Sequence, residues 1–350
     1  MSTNTIEPSQ RLRKGMMRKA SSLNIPLQVG IELTYRCNLR CTHCYVDLTE
    51  SDELSTEEWK EIIDQLKAAG TASLIFTGGE IMVRHDILDI LTYARDTGFF
   101  ISILTNCTML TPDIARSIAK IKVLKISTSL HGATAATHES VTMVPGSFEK
   151  TLEGISYLVD AGLLPIVQTV VMENNAAEIS LIKKLVADLG AIAQINVGML
   201  GPSKTGANYP FQHEPNIETL FNCAAQQDIR SAINVHEQGN HLTCYAGSSI
   251  ASVSPHGDVF PCITVPLKLG NLKEASFDSI WHFEPCVELR YLRSMRRSNL
   301  FACDSCKLST YCNRCTGIAY LETGLMNGPS PSACRQAQMR WRLTHATEVT

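Results

Sequence analysis

The sequence predicts an α/β fold with parallel strands, followed by a small cysteine-rich domain. From about residue 27 to 200, short runs of β-branched and aromatic residues alternate with amphipathic segments of helical period. After residue 200 this alternation stops, and residues 201–215 are rich in Gly, Pro and polar side chains. Strands that alternate with helices pair in parallel. The first part therefore forms either an open doubly wound sheet or a closed or partial barrel.

Six short runs have the composition of buried strands. They are LQVGIEL (27–33), SLIF (73–76), FFISIL (99–104), VLKIS (123–127), PIVQTVV (165–171) and QINVGML (194–200).

The segments between these runs carry helix signals. Ser55 and Glu58 form a capping-box pattern ahead of a helix whose apolar residues share one face: Trp59, Ile62, Ile63 and Leu66. Thr111-Pro112 predicts a second helix start, because a proline at the first helical position lacks only an N–H that has no partner there. A third helix is expected over 176–189, with Gly190 as its stop.

Composition excludes several classes of protein. The chain has 350 residues, enough for about two domains, with 44% hydrophobic residues, 19% charged residues and a formal charge of −3. This balance gives no reason to expect nucleic acid as a partner. The basic arm 1–26 has no apolar stretch of the kind found in signal peptides, and we expect it to be partly disordered. No segment has enough uninterrupted apolar residues for a membrane helix, so we expect a cytoplasmic protein.

The chain contains thirteen cysteines. In a reducing compartment, cysteines at motif spacings indicate metal or redox chemistry and not a disulfide framework. The first group, in TYRCNLRCTHCYVDL (34–48), places Cys37, Cys41 and Cys44 directly after the first predicted strand. Three thiolates are one fewer than the four that close a structural zinc site or saturate a four-iron cluster, so on such a cluster one iron stays open for a chelating ligand.

The C-x3-C-x2-C spacing resembles that of radical S-adenosylmethionine enzymes. An aromatic residue, Tyr45, follows the third cysteine, and Gly78-Gly79-Glu80 after the second strand is similar to the GGE motif of that superfamily. The resemblance implies a 4Fe–4S cluster on the three cysteines, with S-adenosylmethionine chelating its open iron. Gly78 and Gly79 would let the backbone come close to this cofactor, and Glu80 would accept a hydrogen bond from its ammonium group.

Two further strand ends extend the resemblance. Thr105-Asn106-Cys107 is similar to the TNG-type end of the third strand, with cysteine in place of glycine, and Ser127 to Ser129 match the polar end of the fourth. The resemblance implies that Thr105, Asn106, Ser127 and Ser129 contact S-adenosylmethionine. It covers about residues 27–205, favours a partial (β/α)6 TIM-type barrel, and sets the first domain at 27–215.

A second group of cysteines lies in the C-terminal part. Its order resembles the SPASM extension of some radical S-adenosylmethionine enzymes, which carries auxiliary 4Fe–4S clusters. The resemblance implies an iron–sulfur domain at 244–340 after a linker at 216–243, with one or two auxiliary clusters. One cluster is expected on Cys303, Cys306, Cys312 and Cys334, and the other on Cys244, Cys262 and Cys315.

Two features depart from the SPASM pattern. The last pair is C-x2-C where the family usually has C-x3-C, and no further cysteine follows soon after Cys244. The second auxiliary cluster therefore has either an open iron or a fourth ligand from another part of the chain. The candidates are Cys223, Cys286, His256 and Asp258.

Other residues near these motifs have two interpretations each. Cys107 is interpreted as a small apolar filler, with a hydrogen-atom donor or a ligand as the alternative. His43 is interpreted as a loop residue. His131 and His138 lie at or beyond the fourth strand, and contact with substrate is their alternative to a structural role. A basic run, Arg290 to Arg297, is interpreted as a solvated helix face, with an acidic partner as the alternative.

The resemblance implies a radical S-adenosylmethionine enzyme. Such enzymes reductively cleave the cofactor to a 5′-deoxyadenosyl radical, which abstracts a hydrogen atom from substrate. The leading hypothesis for the substrate is a ribosomally synthesised precursor peptide. The expected partners are this peptide, a separate leader-binding protein and an external one-electron reductant such as flavodoxin or ferredoxin.

Two alternatives stay open. One keeps the chemistry but acts as an oxidoreductase or dehydrogenase on a small molecule, such as a tetrapyrrole or an aminocyclitol. The other is a non-catalytic iron–sulfur or zinc module for electron transfer or binding.

Overall fold

The computed structural model describes residues 8–49, 52–197, 203, 210–226 and 242–345. Its first part is a run of six parallel strands, each pairing with the next. They are β1 (Gln28–Thr34), β2 (Ser73–Gly78), β3 (Phe100–Leu104), β4 (Lys125–Ser129), β5 (Ile166–Val170) and β6 (Ile192–Asn196). Four of the six predicted runs overlap their strands closely. β4 lies two residues later than predicted, β6 begins two residues earlier, and residues 198–200 lie outside the described part.

Helices connect these strands on the outer side of the sheet. They are α2 (Thr56–Ala68), α3 (Ile87–Asp96), α4 (Pro112–Ile121), α5 (Ala135–Thr142), α6 (Ser147–Asp160) and α7 (Ile179–Asp188). The capping box of Ser55 and Glu58 is present at the start of α2, and the four apolar residues of its predicted face are buried. Thr111 caps α4 with its side chain, and Pro112 occupies the first turn.

The sheet does not end with the barrel strands. Its order is β6-β5-β4-β3-β2-β1-β7-β8-β9, where β7 (Ile250–Val253), β8 (Asp258–Phe260) and β9 (Gly270–Asn271) belong to the cysteine-rich part. β7 pairs in parallel with β1 along Gln28 to Ile31. β7 occupies the side of β1 with which β6 would have to pair to close a barrel. The six consecutive parallel strands therefore form a partial barrel and not a closed one.

The C-terminal part shares the barrel's apolar core. Val253, Val259, Phe277 and Trp281 are buried in the same apolar cluster as β1 to β3. The C-terminal helices are α9 (Val287–Ser294), α10 (Thr316–Thr323) and α11 (Pro331–His345). A small second cluster around Val265, Leu292 and Met295 packs against two of the cysteines, Cys244 and Cys262.

Two segments that the sequence assigns to a terminal arm and to a linker each contain a helix. In the basic arm 1–26, expected to be partly disordered, residues Pro8–Ser22 form helix α1, whose Ser21 hydroxyl bonds to that of Ser248 at 2.9 Å. In the 216–243 segment, expected to be a linker, residues Ile217–Gln226 form helix α8. Leu220 and Ala224 of α8 share an apolar cluster with Met339 and Leu343 of α11.

Arg293 in the basic run of α9 does not lie on a solvated face. Its guanidinium donates to the carbonyl oxygens of Gly247 and Trp281, at 2.6 and 2.9 Å, and lies 4.9 Å from the Trp281 ring centroid. Arg293 therefore holds α9 against the turn at Gly247, just before β7, and against the short helical segment that carries Trp281. Among the described helices, none is long and apolar enough to cross a membrane.

Candidate cofactor site and auxiliary cysteine groups

The first cysteine group lies on a loop that leaves the C-terminal end of β1. Cys37, Cys41 and Cys44 are free thiols, each partly buried. The loop is fixed to α5 by two backbone hydrogen bonds, Arg40 N–H to Thr142 O at 3.0 Å and Thr42 N–H to Val141 O at 2.9 Å. Burial raises the pKa of all three thiols, that of Cys41 to about 12. A cation bound to the sulphurs offsets this cost of burying thiolates.

Gly78 and Gly79 support this loop from the end of β2. Gly78 has φ +130°, and a Cβ there would lie 2.3 Å from Thr34 O. A Cβ on Gly79 would lie 2.2 Å from Arg36 O. Gly79 N–H donates to Thr34 O at 2.8 Å, and Glu80 N–H donates to Arg36 O at 2.9 Å. The close approach that requires glycine is therefore an approach to the cysteine loop itself.

Glu80 is fully buried and its carboxylate has three donors within the protein. It accepts from Met82 N–H at 2.9 Å, from the Thr105 hydroxyl at 2.8 Å and from Asn106 N–H at 2.6 Å. Glu80 thus ties the end of β2 to the end of β3. It is not among the residues lining the adjacent cavity, so its contact with a cofactor ammonium group stays a prediction.

A cavity of about 200 Å³ joins most of the predicted site residues. It lies at the C-terminal edge of the strands, where α/β barrels place their chemistry. Its lining includes the three cysteines together with Tyr45, Gly78, Gly79, Thr105, Asn106, Ser127 and Ser129. Asn106 Nδ2 lies 4.0 Å from Cys37 Sγ and 2.9 Å from Asn38 Oδ1, so β3 also holds the cysteine loop.

Three histidines line the same cavity. The ring centroids of His43 and His131 are 4.6 Å apart, and those of His131 and His138 are 5.6 Å apart. His138 Nδ1 accepts from His131 N–H at 3.2 Å, so in the neutral ring the hydrogen is on Nε2. Burial lowers the pKa of all three, that of His138 to about 4, and they are neutral at pH 7.

Several polar atoms around the cavity have no hydrogen-bond partner among the described residues. They are Ser127 Oγ, His43 Nδ1, His131 Nδ1 and His138 Nε2, all buried. A buried polar atom without a partner costs about 1–3 kcal/mol, so this arrangement fits a polar ligand that supplies the missing bonds. S-adenosylmethionine carries amino, carboxylate and hydroxyl groups of that kind. The sequence motifs assigned the three histidines no part in binding the cofactor. The signal that could have indicated one was their position, inside the cysteine loop and after β4.

Cys107 is not part of this site. It is fully buried in the apolar core with φ +65°, and its pKa is raised by burial to about 12. A Cβ on Gly154 of α6 would lie 2.2 Å from Cys107 O, which shows how closely α6 packs there. The role of a small apolar filler therefore describes Cys107, and a role as hydrogen-atom donor has no support in its position.

The structure brings together the cysteines predicted for one auxiliary cluster. Cys303, Cys306, Cys312 and Cys334 line a single cavity of about 560 Å³. The first three come from the loops before α10, and Cys334 lies on α11. Four thiols around one cavity have the ligand count of a 4Fe–4S cluster.

The second auxiliary group is also assembled. Thr264 Oγ1 lies 3.1 Å from Cys262 Sγ and 3.6 Å from Cys315 Sγ, and Cys244 interacts electrostatically with both cysteines. Gly317 permits this approach, because a Cβ there would lie 2.2 Å from Thr264 O.

The four candidates for a further ligand of this group are engaged elsewhere. Cys223 Sγ lies 3.7 Å from Ala176 O, and Cys286 packs against the main core at the start of α9. His256 Nδ1 lies 2.9 Å from Asp52 O, and Asp258 pairs with Lys268 at 2.7 Å.

Comparisons with known proteins agree with this geometry. The model of the radical SAM superfamily matches residues 31–185, and that of the SPASM iron–sulfur cluster-binding domain matches residues 244–316. The chain is 32% identical to the AdoMet-dependent heme synthase of Methanosarcina barkeri, over 86% of this chain and 94% of that protein. It is 30% identical to the subtilosin biosynthesis protein AlbA of Bacillus subtilis, over 83% of this chain and 67% of that protein.

A further relative and a solved structure extend the comparison. The mycofactocin maturase MftC of Mycolicibacterium smegmatis is 29% identical, over 93% of this chain and 86% of that protein. The crystal structure of Streptococcus suis SuiB bound to its precursor peptide SuiA has the same fold, with a TM-score of 0.69, 18% identity and coverage of 95% and 84%. The chain therefore belongs to the radical SAM superfamily, whose members bind S-adenosylmethionine and a 4Fe–4S cluster, and carries a C-terminal SPASM domain, which binds auxiliary iron–sulfur clusters.

Proposed function

We propose that this enzyme modifies a ribosomally synthesised precursor peptide by abstracting a hydrogen atom from it. The observation that supports hydrogen abstraction is the convergence of three free thiols and several unpartnered polar atoms on one cavity. Support for a peptide substrate comes from the names of two relatives. AlbA is named for the biosynthesis of the bacteriocin subtilosin, and MftC is named a mycofactocin maturase.

The residues of the chain have distinct roles in this proposal. Cys37, Cys41 and Cys44 hold the cluster, and Ser127 with the neutral histidines gives hydrogen bonds to S-adenosylmethionine. When bound, the cluster and this cofactor supply the one-electron chemistry that generates the hydrogen-abstracting radical. Glu80 positions the ends of β2 and β3 beneath the site, and the buried lining excludes water.

The proposal includes two protein partners. A one-electron donor such as flavodoxin or ferredoxin reduces the clusters, and a separate leader-binding protein presents the peptide. Replacing dithionite by reduced flavodoxin in the assay tests the first partner. Dependence of peptide conversion on an added leader-binding protein tests the second.

A small-molecule substrate is the second candidate, and one observation favours it. The relative with 32% identity is named a heme synthase, and the match covers 94% of its length. In this version the same cavity holds S-adenosylmethionine, and the hydrogen atom is abstracted from a tetrapyrrole.

One experiment separates the two substrates. The reconstituted enzyme is incubated anaerobically with S-adenosylmethionine, dithionite and a deuterated precursor peptide encoded near its gene, and separately with a tetrapyrrole. Deuterium in the released 5′-deoxyadenosine, together with a changed peptide mass, is the expected result. If the tetrapyrrole increases the release of 5′-deoxyadenosine and the mass of the peptide is unchanged, the peptide proposal is contradicted and the second candidate is supported.

A further inference from the structure

The two auxiliary cysteine groups meet in the sequence at Cys312-Asn313-Arg314-Cys315. Cys312 lines the cavity shared with Cys303, Cys306 and Cys334, whereas Cys315 lies against Cys262 and Thr264. Arg314 stands between a cysteine of one group and a cysteine of the other. Arg314 therefore lies within two residues of a cysteine of each group.

Hydrogen bonds hold the Arg314 guanidinium in one place. Nε donates to Gly328 O at 2.7 Å, and Nη2 donates to Met326 O. Nη1 donates to the Thr316 hydroxyl at 3.4 Å, beside Cys315. Both carbonyls belong to the turn between α10 and α11, so the side chain is fixed between these two helices.

Arg314 has cysteines, and not carboxylates, as its electrostatic partners. None of the described carboxylates forms an ion pair with it. The partly buried Arg314 lines the cavity that Cys303 and Cys312 share, and its Nη1 reaches the hydroxyl of Thr316, the residue after Cys315. Its electrostatic partners are cysteines of both groups: Cys303, Cys312, Cys315 and Cys244. Its positive charge is therefore available to both groups of sulphurs.

Two neighbouring arginines differ from Arg314 in reach. Arg340 on α11 interacts with Cys312 alone, and its Nη1 donates to Tyr311 O at 3.0 Å. Arg297 lines the cavity of the first group and interacts with Cys303. Each of these side chains serves one group, whereas Arg314 interacts with both.

We propose that Arg314 is a shared positioning residue that raises the reduction potentials of both auxiliary clusters. A reduced iron–sulfur cluster carries one more negative charge than the oxidised one, so a fixed cation nearby stabilises the reduced form. Because one charge acts on both sites, the two potentials rise together. This inference depends on the ligand groups described above and not on the identity of the substrate.

Potentiometric titration followed by EPR tests the proposal. The protein carries Cys37→Ala, Cys41→Ala and Cys44→Ala to remove the signal of the first cluster, and R314Q, R314K and R340Q are compared in this background. We expect R314Q to shift both auxiliary potentials to more negative values. R314K keeps the charge, so both of its auxiliary potentials are expected to stay close to those of the background protein. R340Q is expected to shift the potential of one auxiliary cluster only.

Iron content and circular dichroism distinguish an electrostatic role from a structural one. If R314Q shifts one potential or neither while its iron content is unchanged, the proposal is overturned. It is also overturned if R314Q and R314K both lose iron, since the hydrogen bonds to the turn at Met326 and Gly328 are then what matters. Equal shifts in R314Q and R314K likewise reject a role for the charge.

Discussion

At the scale of single residues, Glu80 shows how a motif residue acquires its role from the fold. The GGE pattern located it correctly at the end of β2. Its partners Thr105 and Asn106, however, lie more than twenty positions further along the chain, and only the pairing of β2 with β3 brings them within 2.8 Å. Sequence reasoning therefore found the residue but not its hydrogen bonds.

Glu80→Gln tests this positioning role. The amide has one acceptor oxygen in place of two, so a buried N–H of Met82 or Asn106 loses its partner. We expect a loss of about 1–3 kcal/mol in the free energy of unfolding. Urea unfolding measures it, with the exposed Glu57→Gln as the control. If Glu80→Gln weakens S-adenosylmethionine binding without changing unfolding, the contact with the cofactor is the main role instead.

The lowered pKa of His138 predicts that the free energy of unfolding depends on pH. Its folded pKa, about 4, is below the ordinary value of 6.5, so between these values the unfolded chain binds more protons than the folded protein. The stabilisation is complete above pH 6.5 and is lost as the pH falls towards 4, at up to about 1.4 kcal/mol per pH unit.

Comparison of the wild type with His138→Gln measures this contribution. Urea unfolding between pH 7 and 4.5 is expected to give a steeper loss of stability in the wild type, since the variant lacks the titrating ring. Parallel curves for the two proteins would mean that His138 does not titrate in this range.

At the scale of elements, the helix and strand patterns of the barrel were predictable because burial there is strongly periodic. Trp59, Ile62, Ile63 and Leu66 of α2 are the clearest case. α1 and α8 were missed, since basic residues dominate the first and the second follows a stretch rich in Gly and Pro. Both helices depend on tertiary contacts, such as that between α8 and α11, that local patterns do not contain.

Gly317 at the start of α10 is the element-scale position with the sharpest prediction. Gly317→Ala places a Cβ 2.2 Å from Thr264 O and separates α10 from the segment that carries Cys262. We expect the loss of about four of about twelve irons per chain after reconstitution, because one cluster site is disrupted. Gly15→Ala, which has no atom within 4 Å of the new Cβ, is the control. A full complement of iron in Gly317→Ala would contradict the close packing.

At the scale of the whole molecule, the continuous sheet was the feature least accessible to the sequence. β7 pairs with β1 although more than two hundred residues separate them, and β7 to β9 are short. The cysteine spacings predicted the two family domains that the comparisons confirm, because ligand spacing is a local property. The apolar core that Val253, Val259 and Trp281 share with the barrel depends on long-range packing.

The central claim is that Cys37, Cys41 and Cys44 hold the cluster at which S-adenosylmethionine is cleaved. The most direct measurement is the yield of 5′-deoxyadenosine from reconstituted protein with S-adenosylmethionine and dithionite. The wild type is compared with Cys41→Ala and with Cys223→Ala. Cys223 belongs to α8 and packs in an apolar cluster away from the three cysteines. We predict that the wild type and Cys223→Ala release 5′-deoxyadenosine. Cys41→Ala is predicted to release none while keeping about eight irons on its auxiliary sites. Release by Cys41→Ala at the wild-type rate would contradict the claim.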